Sequence, residues 1–114
     1  MKERDYQIIL HIRKHCEDIV EFSKKCDYEI FCRDNLFFNA ITMSLLQIGE
    51  LAKNFSDEFI SESKEIPWRN IKGLRDVVAH GYNSLDKEII WNIAENEINK
   101  LNEYCCKKIQ EYVE

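Results

Sequence analysis

Apolar residues recur along this chain at helical intervals. Ile8, Ile12, Cys16, Ile19, Phe22 and Cys26 follow one another at steps of four, four, three, three and four, which is the spacing of one helix face. Lys14, Glu17, Asp18, Glu21 and Lys24 fill the other side. A first helix is therefore predicted from about Tyr6 to Lys25. The stretch Cys26 to Arg33 reads as a connection whose Tyr28, Ile30 and Phe31 must still find cover. Asp34 is an N-cap for a second helix reaching about Asn54. Leu36, Phe37, Ala40, Ile41, Leu45, Ile48, Leu51, Ala52 and Phe55 cover most of its circumference, so it belongs at the centre of a bundle. The remaining stripe is Asn39, Met43, Gln47, Glu50 and Asn54, in which Glu50 is the one charge.

Ser56, followed by Asp57 and Glu58, starts a short helix that ends near Ser63, with acids at the positive end of the helix dipole. Pro67 suits the first position of a fourth helix. Trp68, Ile71, Leu74 and Val78 form its buried face, and Gly81 is placed to end it in a left-handed cap. Asp86 caps a long fifth helix, with Ile90, Ala94, Ile98, Leu101, Cys105, Ile109 and Tyr112 as its seam. The expected fold is all-α: an antiparallel bundle of four main helices plus one short helix.

Composition narrows this further. Three glycines and one proline in 114 residues leave few turns and disfavour a many-stranded β fold. The length fits one domain, residues 1–114, without linkers or repeats. A net charge of −5 argues against a charge-driven nucleic-acid coat and leaves room only for a local basic patch. Lys64, Arg69, Lys72 and Lys87 are candidates for that rim, with a plain solvated face as the alternative. The charged start, Met1-Lys2-Glu3-Arg4-Asp5, is not that of a signal peptide. The longest uncharged run, Asn35 to Gly49, is 15 residues, short of the roughly 20 a membrane span needs. A cytoplasmic protein with no membrane association is expected.

The five cysteines, Cys16, Cys26, Cys32, Cys105 and Cys106, are odd in number and lack a Cys-x-x-Cys pair. They read as reduced core or near-core thiols. His11 and His15 stand four apart but lack an identifiable third ligand, so they read as surface histidines, with no metal and no cofactor implied. Trp68 and Trp91 fit core or dimer packing better than base stacking.

The segment Arg75-Asp76-Val77-Val78-Ala79-His80-Gly81-Tyr82 carries the candidate chemistry. Arg75 and His80 differ by about 140° around a helix, yet they can flank one groove. An arginine fork suits a phosphate, and a histidine can take and return a proton near neutral pH. Tyr82 puts a phenol beside them. Together they could cleave RNA without a metal, and a two-fold dimer would supply one histidine as base and one as acid. The alternative is structural: Arg75 pairs with Asp76 or another acid, and His80 favours the negative helix end. Glu50 is a candidate to hold Arg75 or orient His80, or else an exposed acid paired with a lysine. Asp76 could steer either residue or form a surface salt bridge.

Pro67 to Tyr82, followed by Asp86 and Ile90-Trp91, together with Ile48-Gly49-Glu50 in the second helix, resembles the HepT-like branch of the HEPN superfamily. The resemblance spans nearly the whole chain. It implies a helical bundle that forms a homodimer, with the Arg-x4-His motifs of both subunits, here Arg75 and His80, lining a shared cleft. It implies a metal-independent ribonuclease toxin of a type II toxin–antitoxin pair, acting on RNA. Its antitoxin would be an MntA-like nucleotidyltransferase that transfers AMP to the motif tyrosine, here Tyr82. A reading from another class stays open: a non-catalytic helical subunit that binds a nucleotidyltransferase, a nucleotide or RNA without cleaving it. A third is a structural dimer whose motif merely caps a helix.

Overall fold

The computed structural model describes residues 1–83 and 87–114, with side chains described outside 79–86. Among the described residues every regular element is helical: α1 (Glu3–Lys24), α2 (Tyr28–Arg33), α3 (Asn35–Ala52), α4 (Asp57–Glu62), α5 (Trp68–Lys72), α6 (Leu74–Asn83), α7 (Lys87–Asn92) and α8 (Ile98–Val113), with a π-helical stretch at Ile93–Glu97 between the last two. This is the all-α bundle that the periodicity predicts. It measures 43 × 24 × 19 Å. No helix among the described residues is long and apolar enough to cross a membrane.

α1 packs along α3 and α8. Its Asp5 meets Ser56, just beyond the end of α3, and its Tyr6 ring lies 4.0 Å from that of Tyr112 at the end of α8. Both neighbours therefore run antiparallel to α1. Ile9, Ile12, Cys16 and Ile19 of α1 are fully buried against Ile41, Leu45 and Ile48 of α3 and Cys105 of α8 within one core. Each such aliphatic side chain contributes about 1.5–3 kcal/mol relative to exposure. Thr42 is also fully buried, and its hydroxyl donates to the Phe38 carbonyl one turn back at 2.7 Å.

Four local expectations are corrected. The stretch Cys26 to Arg33 is not a bare connection but contains α2: Asp27 accepts a hydrogen bond from the Ile30 N–H at 2.9 Å and caps it, and Phe31 is fully buried. Pro67 precedes its helix and does not open it. With φ −78° and ψ 70° and the Trp68 N–H donating to the Ile66 carbonyl at 2.8 Å, it centres an inverse γ-turn. The fourth helix is broken at Gly73 into α5 and α6. It also continues through Gly81 to Asn83, since glycine permits a left-handed exit without enforcing one. The Asp86 cap lies outside the described residues.

The fifth helix has its predicted seam but holds it by a device that periodicity does not reveal. Ile90, Ala94 and Ile98 are all buried at successive steps of four. In an ideal α-helix each such step drifts by about 40°. The wider turn of the π-helical stretch takes up that excess and keeps all three side chains on the core.

Candidate functional site at the α3–α6 junction

The site is organised by the close approach of two backbones. A Cβ added at Gly49 of α3 would stand 3.0 Å from the Ile71 carbonyl oxygen and 3.3 Å from Leu74 Cβ. Only glycine lets the α5–α6 corner rest this tightly on α3. At the corner the Gly73 N–H donates to the carbonyls of Arg69 and Asn70, at 3.2 and 3.1 Å, while its own carbonyl accepts from Asp76 N–H at 3.0 Å. α6 therefore starts afresh at Leu74, with Arg75 and Asp76 in its first turn.

Trp68 anchors the corner. It is buried, packs against Phe55 at 4.8 Å, Phe59 at 5.9 Å and Tyr104 at 6.2 Å, and donates its indole N–H to the Ser63 carbonyl at 3.1 Å. It is a core residue, as its helical position predicts. Leu74 and Val78 are buried below it, which turns Arg75 outward, and the Arg75 side chain is 68% exposed.

Arg75 and Glu50 meet across the junction, with Nη1 and Oε1 4.0 Å apart. The same Glu50 oxygen lies 3.0 Å from Lys53 Nζ, so the carboxylate is shared between two cations. Asp76 is exposed, at the positive end of the α6 dipole. The backbones of His80 and Tyr82 lie in α6; their side chains lie outside the described residues. The Glu50–Lys53 pair was legible from the i, i+3 spacing. The role of Gly49 was not, because it depends on a helix distant in sequence.

The basic rim is smaller than expected. Lys64 and Arg69 are exposed and Lys72 half-buried, but Lys87 is committed elsewhere. Its ammonium donates to the Cys32 carbonyl at the end of α2 at 2.9 Å and lies 4.9 Å from the Phe38 ring centroid. A lysine that satisfies a helix C-terminus and covers a ring leaves the rim. The stripe of α3 that leads to Glu50 is largely open, with Asn39, Met43 and Gln47 exposed; Leu36, expected on the apolar surface, extends it instead, 74% exposed beside Met43 at 56%.

Other candidates resolve differently. His11 is exposed, but His15 is half-buried, and burial lowers its pKa. Among the described residues no three His, Cys, Asp or Glu side chains gather as metal ligands. All five cysteines are free thiols. Cys16 and Cys105 are in the core, and burial pushes the Cys105 thiol up to about 12, while Cys106 is exposed. Trp91 is half-buried and packs on Phe31 at 5.1 Å.

A family model described as "Ribonuclease HepT-like" matches residues 12–108. A protein of Methanocaldococcus jannaschii named "Putative RNase" is 32% identical over 99 residues, covering 86% of this chain and 82% of the relative. Another of the same name and organism is 30% identical over 115 residues, covering 100% of this chain and 99% of the relative. The "Probable ribonuclease HepT" of Thermococcus cleftensis is 31% identical over 101 residues, covering 89% and 92%. No solved structure gives a significant match.

Proposed function

The chain belongs to the HepT-like ribonuclease family, and from that membership we propose that it is an endoribonuclease toxin that cleaves RNA without a metal. The observation that carries the reading is the solvent-facing Arg75 guanidinium, held beside Glu50 at 4.0 Å on a corner braced by Gly49 and Trp68. A permanently charged fork presented this way is suited to a phosphodiester.

In the proposed reaction a ribose 2′-hydroxyl attacks the adjacent phosphorus. His80 of one protomer accepts the hydroxyl proton. His80 of the other donates a proton to the departing 5′-oxygen. The products are a 2′,3′-cyclic phosphate and a free 5′-hydroxyl. Arg75 stabilises the negative charge that develops on the phosphoryl oxygens. Glu50 is a positioning residue that keeps the guanidinium at the junction, and Asp76 supports the same turn. A homodimer provides the two histidines. The open stripe of α3, apolar at Leu36 and Met43 and leading to Glu50, supports a two-fold contact that would bring two Arg75 side chains near one another.

The partner in this reading is an MntA-like nucleotidyltransferase antitoxin that adds AMP to Tyr82. An anionic adduct on the same helix as Arg75 would compete with the RNA phosphate for the guanidinium.

The test uses protein whose intact mass excludes AMP on Tyr82. Wild type and His80→Ala are incubated with total RNA in EDTA. Cleavage by wild type alone, with cyclic-phosphate ends, supports the proposal. Intact RNA with folded, dimeric, unmodified protein overturns it and favours a non-catalytic subunit that binds the nucleotidyltransferase.

A further inference from the structure

On the other flank of the α5–α6 corner lies a groove that the reading above does not use. It has a volume of about 310 Å³ and separates α5 and α6 from the π-helical stretch and α8. Ile71, Leu74 and Val77 form one wall; Ile93, Ile98 and Leu101 form the other. Both sets recur at helical steps, so the groove lies between two helical ridges. The wall from Ile93 to Leu101 is about 12 Å long, or roughly two turns of helix. The π-helical stretch supplies Ile93 and Glu97 to it, and such stretches are frequent at functional sites.

The apolar surface continues beyond the groove. Ile89 stands one turn before Ile93 on the same face and is 52% exposed, while Ile71, Val77 and Ile93 are themselves only half-buried. An apolar surface that runs on past a cleft, within a polar surround, has the form of a protein contact. The walls are helices and offer an extended peptide no free row of backbone N–H and C=O groups. A partner helix satisfies its own backbone and seats a row of side chains between two ridges.

The charge at the mouth is acidic, with one carboxylate on each wall: Glu65 before α5 and Glu97 opposite. Glu97 lies 3.8 Å from Lys100. Among the described residues no cation lies within ion-pair distance of Glu65. Lys108, which feels its charge, is paired with Glu111 at 3.5 Å. Arg69 and Lys72 stand about 150° around α5 from the midpoint of the lining residues Asn70 and Ile71, so they face away from the groove.

We propose that this groove seats one amphipathic helix of a partner protein, aliphatic along the face that enters and carrying Lys or Arg at the edges opposite Glu65 and Glu97. The aliphatic row covers Ile71, Val77, Ile89 and Ile93, and the flanking cations complement the two carboxylates. The proposal is independent of whether the chain cleaves RNA.

The test uses two synthetic helix-forming peptides with the same row of leucines at steps of three and four. One carries lysines beside the row and the other glutamates. Each is titrated into the whole 15N-labelled chain while the backbone amides of Ile71, Val77, Ile89 and Ile93 are followed. The lysine peptide is expected to shift these amides and to bind about tenfold more tightly than the glutamate peptide, with the difference shrinking at high salt. Glu65→Lys combined with Glu97→Lys, both at exposed positions, should reverse the preference, and Ile89→Ser should weaken both peptides. Silent groove amides overturn the proposal, as does equal affinity for the two peptides or a preference unchanged in the double variant. It is also overturned if hexanediamine shifts these amides and neither peptide does, which would make the groove a site for a small aliphatic amine. Loss of self-association in a folded Ile89→Ser protein, read by sedimentation, would overturn it too and make this face a contact between copies.

Discussion

Glu50 Oε1 lies 4.0 Å from Arg75 Nη1 and 3.0 Å from Lys53 Nζ, so the acid that holds the guanidinium also has a nearer, competing cation. The pair is solvent-exposed, and an exposed pair of this length contributes less than about 1 kcal/mol. Arg75→Ala should therefore leave the unfolding free energy within about 0.5 kcal/mol of wild type. RNA cleavage should nevertheless fall by about 10²–10³-fold, the usual loss when a charge-stabilising donor is removed. Glu50→Gln should reduce cleavage less than Arg75→Ala does. Parallel denaturant melts and single-turnover cleavage of the three proteins check the order. A large stability loss in Arg75→Ala would mean that the arginine is structural.

Gly49→Ala sets two effects against each other. Alanine improves helix propensity by about 1 kcal/mol. Its Cβ would then stand 3.0 Å from the Ile71 carbonyl oxygen, a backbone atom that moves only with the whole corner, and overpacking of that kind costs about 1–3 kcal/mol. The expected net effect is a destabilisation of about 1 kcal/mol, larger for Gly49→Val. Cleavage should fall with it, because Arg75 moves with the corner. Urea melts and cleavage rates for the pair of variants give the answer, and a stabilised Gly49→Ala would show that the corner yields cheaply.

Asp5 ties the start of α1 to the N-cap of α4. Its buried carboxylate accepts hydrogen bonds from the Ser56 N–H at 2.9 Å and the Ser56 hydroxyl at 2.7 Å, while the Ser56 oxygen accepts from the Phe59 N–H at 3.1 Å and caps α4. Asp5→Ala leaves both donors in a part-buried setting without a partner and should cost about 1–3 kcal/mol. Asp5→Asn keeps one acceptor and should cost less. Equilibrium unfolding of both variants measures the difference; equal losses would mean that packing rather than hydrogen bonding is at stake.

His15 makes stability depend on pH in a defined direction. Burial is the main cause of its lowered pKa, partly countered by Asp18 and aided by His11 and Lys14. Its folded pKa thus lies below the ordinary value of about 6.5, and the unfolded chain binds the proton first. The stability it permits is complete above about pH 6.5 and declines as pH falls from there through the folded pKa. Wild type should lose more Tm between pH 7 and pH 5 than His15→Gln does. Thermal scans across that range test this, and identical pH slopes would remove His15 as the source.

The helices themselves were legible because each follows from short-range chemistry. Asp34 and Ser56 cap by bonding N–H groups two or three residues on, and the apolar steps in α1 and α3 close over single turns. The same locality explains what was missed. Asp27 had a cap within reach, but α2 is six residues long, too short for periodicity to separate it from a loop. The partition of Lys87 away from the basic rim depends on α2 lying beside α7, which no local pattern encodes.

The candidate site divides in the same way. Arg75 and His80 are candidates by the Arg-x4-His spacing, and Asp76 and Glu50 by residue type and by the family resemblance, and those are properties of the chain. That Glu50 reaches Arg75, that Gly49 is the point of contact, that Asp5 closes on Ser56 and that an aliphatic cleft opens beside Val77 are consequences of helices meeting. Capping and amphipathicity act over a few residues and are written in order along the chain. Close approach, shared ion pairs and clefts arise between segments far apart in sequence, where packing of the whole core chooses which surfaces meet.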